Sequence, residues 1–131
     1  MRFNFKKALY LFVFIGYSSA FAGSYEDFFK AIRQDDEGTV RSLLNRGFDP
    51  NTRDPNGLHG LYLAVREPAP KVASALIGWP QTDVEPRTPQ DESPLMMAAL
   101  NGQTDLVSRL IERGADVNKT GWTPLHYAAT R

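Results

Sequence analysis

The chain has 131 residues, with 15 Lys+Arg against 15 Asp+Glu, two His and no Cys. That length suits one domain and excludes a large multi-domain enzyme, and balanced charge gives no basis for nucleic-acid binding, which needs clustered surplus Lys/Arg. Without Cys there is no disulfide framework, Cys-based zinc site, thiol nucleophile or lipoprotein anchor, and two His are too few for a His-rich metal cluster; no cofactor is expected.

In chain order, residues 1–22 read MRFNFKKALYLFVFIGYSSAFA. Arg2, Lys6 and Lys7 make a positive start, Ala8 to Tyr17 an apolar run of ten, and Ala20-Phe21-Ala22 the small-x-small pattern before a cleavage site. A membrane-spanning helix needs roughly 20 apolar residues, so this segment predicts a signal peptide cut between Ala22 and Gly23. No membrane association is expected after cleavage, and a periplasmic or secreted location follows. Removing three basic groups leaves 12 basic against 15 acidic residues, a net charge of −3. A thiol-free exported chain suits an oxidising compartment such as a bacterial periplasm.

The remainder predicts paired short helices. The first pair runs through Glu26 to Ile32 and then Val40, Leu43 and Leu44, with Asp35-Asp36-Glu37 as turn and cap between them. Arg53-Asp54-Pro55-Asn56-Gly57 is a turn-rich hairpin. The second pair begins at His59-Gly60-Leu61, turns through Pro68-Ala69-Pro70 and carries Val72, Leu76 and Ile77; Trp79-Pro80 holds one extra residue. This unit is expected to be the least regular. Arg87 to Glu92 forms the next hairpin. In the third pair, Ser93 caps a helix that starts at Pro94 and turns Leu95, Ala98 and Ala99 to one face. Leu106, Val107, Leu110 and Ile111 give the apolar face of its second helix, and Gly102 and Gly114 sit where helices end and positive φ is expected. After the shortened connection Lys119-Thr120-Gly121-Trp122, Thr123-Pro124-Leu125-His126 starts a fourth unit. It stops at Thr130-Arg131, before a second helix, and so predicts a piece of a longer array.

These units align. Thr123-Pro124-Leu125-His126-Tyr127-Ala128-Ala129 lies over Ser93-Pro94-Leu95-Met96-Met97-Ala98-Ala99, over His59 to Val65, and over Glu26 to Ile32. Successive starts differ by 33, 34 and 30 residues. A second ladder runs through Gly47-Phe48-Asp49-Pro50-Asn51, Thr82-Asp83-Val84-Glu85 and Gly114-Ala115-Asp116-Val117-Asn118, whose Asp residues are expected to bond nearby backbone. Thr-Pro-Leu-His-x-Ala-Ala with Gly-Ala-Asp-Val-Asn resembles the ankyrin repeat, whose period is about 33 residues. The resemblance implies an all-α solenoid over 23–131, with repeats at about 24–53, 54–87, 88–119 and a truncated 120–131. With its leader, the chain resembles the small exported ankyrin proteins of Gram-negative bacteria.

That resemblance implies a non-catalytic module binding a protein partner, unidentified here, through a concave face and hairpin fingers. The places it marks as exposed are Leu58, Glu92 and Trp122 before the helix caps, and Asn56 and Gln90 on the fingers. Arg66, Glu67, Leu100, Asn101, Thr130 and Arg131 mark the ends of first helices. Trp122 and Leu100 are candidate apolar anchors and Arg66 a polar one, Trp and Arg being common in interface hot spots. Narrower roles implied are support of a periplasmic enzyme such as a catalase, or a secreted factor directed at a host protein. The rival of another class is a hydrolase using His126 or His59 with nearby carboxylates. Against it, no nucleophile motif accompanies either His, and both occupy capping or turn positions.

Overall fold

The computed structural model describes residues 23–118. Six helices occur among them: α1, helical over 23–33, α2 (Glu37–Asn45), α3 (Gly60–Arg66), α4 (Pro70–Gly78), α5 (Pro94–Leu100) and α6 (Thr104–Glu112). They form two columns. α3 packs on α4 and on α5, while α4 packs between α2 and α6; α1 meets the start of α3 through Phe28 and Ile32. No helix among the described residues is long and apolar enough to cross a membrane.

Spacing in the sequence dictates which faces are buried. Leu43, Leu76 and Leu110 recur at steps of 33 and 34 and are each at most 1% exposed, forming a spine through the α2–α4–α6 column. Phe28, Leu61 and Leu95, fully buried, do the same for the other column. Burying each such side chain contributes roughly 1.5–3 kcal/mol, and none of the helix pairs could cover both its faces alone. Leu106 and Leu110 of α6 are buried as expected, but Val107 is half-buried and Ile111 is 45% exposed. The latter two lie one residue, or about 100° of helix, beyond the packed pair.

Each helix starts on a local device. Asp36 caps α2 by accepting from the Thr39 N–H and hydroxyl, bonds that hold its carboxyl below the usual range. Ser93 accepts from the Met96 N–H, with Pro94 at the first helical position. α4 also begins with a proline, but its own cap residue, Ala69, offers no side-chain acceptor. Asp35 of the preceding unit supplies one, accepting from the Val72 N–H at 2.9 Å.

The second unit is more regular than its sequence suggests. Its helices have 7 and 9 residues, matching α5 and α6. The turn between helices closes in all three units on the same five-residue backbone bond: Asp36 N to Ala31 O, Ala69 N to Ala64 O, and Gln103 N to Ala98 O. In the first and third units a residue with positive φ precedes the cap, Asp35 at 52° and Gly102 at 70°. Pro68 holds that place in the second and cannot adopt such a φ, yet the bond still forms. The expected irregularity is present beyond α4, at the extra residue of Trp79-Pro80. α2 and α6 end on left-handed Gly47 and Gly114, with Phe48 N bonding Leu43 O and Ala115 N bonding Leu110 O. α4 ends on extended Trp79 followed by Pro80, without that closure.

Gly60, where the third and fourth units carry Pro, also has a steric cause. A Cβ there would lie 2.8 and 2.9 Å from the Phe28 ring. Phe28 cannot easily retreat, because Phe29 and Phe48 flank it with ring centroids 5.1 and 4.8 Å away. The large residue in the first unit requires the small one in the second.

Candidate binding surface

The fingers are short hairpins. In the first, Arg53 and His59 form an antiparallel bridge, Asp54 N donates to Leu58 O, and the Asp54 carboxylate accepts from the Asn56 and Leu58 N–H groups. The second repeats this plan, with Thr88 N bonding Glu92 O and the Thr88 hydroxyl accepting from Glu92 N. Left-handed Gly57 and Asp91 occupy matching places. Arg53 joins the fingers by donating to Gly57 O at 2.8 Å and Arg87 O at 3.0 Å.

At the base of each finger the expected Asp turns are present: Asp49, Asp83 and Asp116 accept from the backbone N–H two residues on, at Asn51, Glu85 and Asn118. Asn51 then links the units. Its Oδ1 accepts from Asp83 N at 2.8 Å and meets His59 Nε2 at 2.9 Å, while its Nδ2 donates to Gln81 O. His59 takes the structural role anticipated for it. Its Nδ1 accepts from Leu61 N and caps α3, which makes Nε2 the protonated nitrogen facing Asn51. Burial, with Arg53 nearby, lowers its pKa to about 4 against opposing pulls from Asp83 and Asp49. The ring is therefore neutral near pH 7. Glu85, in the place matching Asn51, pairs with Arg87 at 2.7 Å, and burial raises its carboxyl pKa. Among the described residues no three His, Asp or Glu side chains group as metal ligands.

Asn56 and Gln90 are exposed on the fingers, and Arg66 and Glu67 at the end of α3. Arg66 donates twice to Glu67 Oε1 and lies 5.8 Å from the Tyr62 ring. The Tyr62 hydroxyl donates to Glu92 Oε2. Glu67, Arg66, Tyr62 and Glu92 thus form a connected polar line from α3 to the second finger. Leu100 and Asn101 are half-buried at the end of α5, Asn101 reaching Val65 O at 3.4 Å. An exposed ion pair such as Arg66–Glu67 stabilises the fold by about 0–1 kcal/mol and exchanges readily for a partner's charge. Beside it a groove of about 590 Å³ runs between α1, the first finger and α3, with Tyr25, Phe29, Lys30 and Arg33 on the side opposite Arg66 and Glu67.

Leu58 corrects the sequence reading. It is 9% exposed and packs into the core, as burial of its apolar side chain favours, whereas Glu92 at the matching place is half-buried with its carboxylate on the Tyr62 hydroxyl. Leu58→Ala is expected to cost about 2 kcal/mol in unfolding free energy and to leave partner affinity of the folded protein unchanged; chemical denaturation beside a binding titration checks both. Trp122, Thr130, Arg131, His126 and Ala22 lie outside the described residues, and Gly23 is exposed in α1.

Sequence reasoning missed the bonds between units. Arg109 donates to Ser74 O at 3.1 Å, and Arg113 reaches the carbonyls of Ile77, Trp79, Pro80 and Thr82. Both Arg sit in α6 or at its end, about one repeat beyond their acceptors. That offset was the one available signal.

Helix pairs stacked at steps of 33 and 34 residues, joined by hairpin fingers, define a helical repeat protein. The family profile "Ankyrin repeats (3 copies)" matches residues 61–131, and the chain belongs to the ankyrin repeat family. It is 42% identical over 77 residues to neurogenic locus notch homolog protein 4 of Homo sapiens, covering 59% of this chain and 4% of that protein. It is 34% identical over 102 residues to human notch homolog protein 2, covering 76% and 4%. A glycerophosphocholine phosphodiesterase of Schizosaccharomyces pombe is 30% identical over 95 residues, covering 70% and 8%. The chain thus spans under a tenth of the length of these relatives.

Proposed function

We propose that this protein is an exported, non-catalytic binding module that recognises a protein partner with its fingers and the ends of α3 and α5. The observation that carries this reading is the polar line Glu67–Arg66–Tyr62–Glu92, with Asn56 and Gln90 displayed on the adjoining fingers. His59, the one histidine among the described residues, is engaged on both ring nitrogens, as a helix cap and as the partner of Asn51. A preformed face of this kind needs little rearrangement to bind. The leader 1–22 supports export to the periplasm or the exterior, with cleavage after Ala22.

Crosslinking and pull-down of the exported full-length protein test the reading, comparing wild type with Arg66→Ala and Trp122→Ala. Arg66→Ala is expected to weaken capture of a specific partner about 10-fold or more, the effect of a hot-spot residue. A partner that binds both variants as it binds wild type would refute the assigned face. N-terminal sequencing of the exported protein should begin at Gly23, and retention of the intact leader in the cytoplasm would overturn the location.

A further inference from the structure

We propose that His59 is a proton-sensitive clamp: protonating its imidazole releases the first finger from α3 and from the second unit while the stacked helices stay folded. His59 is 2% exposed and bonds the start of α3 with one ring nitrogen and Asn51 with the other, beside the separate Arg53 link to Arg87 O. Through Nδ1 it holds the α3 start at Leu61 N, through Nε2 it holds Asn51, and Asn51 in turn holds Asp83 N and Gln81 O. A proton added to Nδ1 turns the acceptor for Leu61 N–H into a second donor facing it, so the cap cannot survive with the ring in place.

The surroundings oppose a cation in that position. Arg53, in the same finger, repels it, and the site is buried; Asp83 and Asp49 are the charged groups that would favour it. Burial prevails, holding the pKa near 4 against an ordinary 6.5. The sign follows from linkage. The neutral ring favours the closed clamp, so closure is fully supported above pH 6.5 and loses support as pH falls from 6.5 towards 4. Between those limits an opened finger, with His59 in water, binds the proton more tightly than the closed one. At pH 4.5 this weakens closure roughly 60-fold relative to pH 7.

The finger can open separately from the helices. Arg53, Pro55 and Asn56 are exposed, and its backbone contacts are one bridge and two turn bonds. Its other links, Arg53 to Arg87 O and the Tyr25 hydroxyl to Arg53 O, are solvent-exposed, the low-contact situation in which local opening precedes global unfolding. The Leu43, Leu76 and Leu110 spine lies in the other column. Acid would thereby disengage the Asn56 tip. That consequence for partner binding rests on the proposed binding face, whereas the clamp itself does not.

Amide hydrogen exchange on the full chain tests the clamp, with rates corrected for intrinsic pH dependence and measured at pH 7 and pH 4.5. Wild type should lose protection by about 60-fold at Leu61 and Asp83, with the α4 and α6 amides unchanged, and the His59 ring should titrate near pH 4 by NMR. His59→Thr, whose hydroxyl can cap α3 without titrating, should show no such pH-dependent loss; His59→Asn gives the same comparison if the first variant folds poorly. An imidazole that titrates near 6.5 would overturn the proposal. So would equal pH profiles in wild type and variants, or loss of protection in all helices together.

Discussion

Replacing Phe28 with Ala is expected to lower the unfolding free energy by about 3–5 kcal/mol, a large share of what a domain this size possesses. The ring is fully buried, touches Phe29 and Phe48, and fills the space over the first turn of α3. Its relation to Gly60 gives the sharper result. Ala normally favours a helix over Gly by about 1 kcal/mol, so Gly60→Ala would stabilise an open site. Here the added Cβ would stand 2.8 Å from a ring that cannot move, and the change is expected to cost about 1–3 kcal/mol instead. In the Phe28→Leu background, Gly60→Ala should become neutral or favourable, giving a coupling above about 1 kcal/mol in a double-mutant cycle. Additive effects in urea denaturation would show that the ring does not require the glycine.

The second large effect belongs to Arg113. Arg113→Ala is expected to destabilise by about 2–3 kcal/mol, within the range for hydrogen bonds to charged groups. Its guanidinium reaches Ile77 O and Trp79 O with one nitrogen, and Pro80 O and Thr82 O with the other. These carbonyls line the stretch where the extra residue at Trp79-Pro80 prevents the glycine closure used by α2 and α6. Arg113→Lys should recover less than half of the loss, because one ammonium cannot span acceptors arranged for a planar fork. The midpoint of urea unfolding measures both variants. Equal stability of Arg113→Lys and wild type would mean that charge alone matters there.

Much of this architecture was legible in the sequence, since a repeat displays its spacing several times over. Leu43, Leu76 and Leu110 stand at equivalent places, as do Asp49, Asp83 and Asp116, and their burial and backbone bonding followed from the pattern. What the pattern hid were departures resolved by a neighbour in another unit. His59-Gly60 stands where the third and fourth units carry Ser-Pro and Thr-Pro, and the cause of the glycine is the size of Phe28, 32 positions earlier. Pro68-Ala69-Pro70 looked like a disruption, but Asp35 supplies the missing cap to α4 from the preceding unit. Leu58 was placed outside because equivalent positions in the resembled family face a partner; its apolar side chain finds the core. Of the proposed binding residues, Arg66 and Glu67 lie at the surface as expected, but their link through Tyr62 to Glu92 crosses 30 positions in sequence and has no local signature.

A hydrogen-exchange footprint of the full-length protein with a protein partner captured from its native host tests the central claim most directly. The account predicts protection in 53–59 and 87–93 and at the ends of α3 and α5, around Arg66, Glu67, Leu100 and Asn101, and its loss with Arg66→Ala. Protection confined to exposed positions of α2 and α4, such as Arg41 and Lys71, with these segments unchanged, would contradict it.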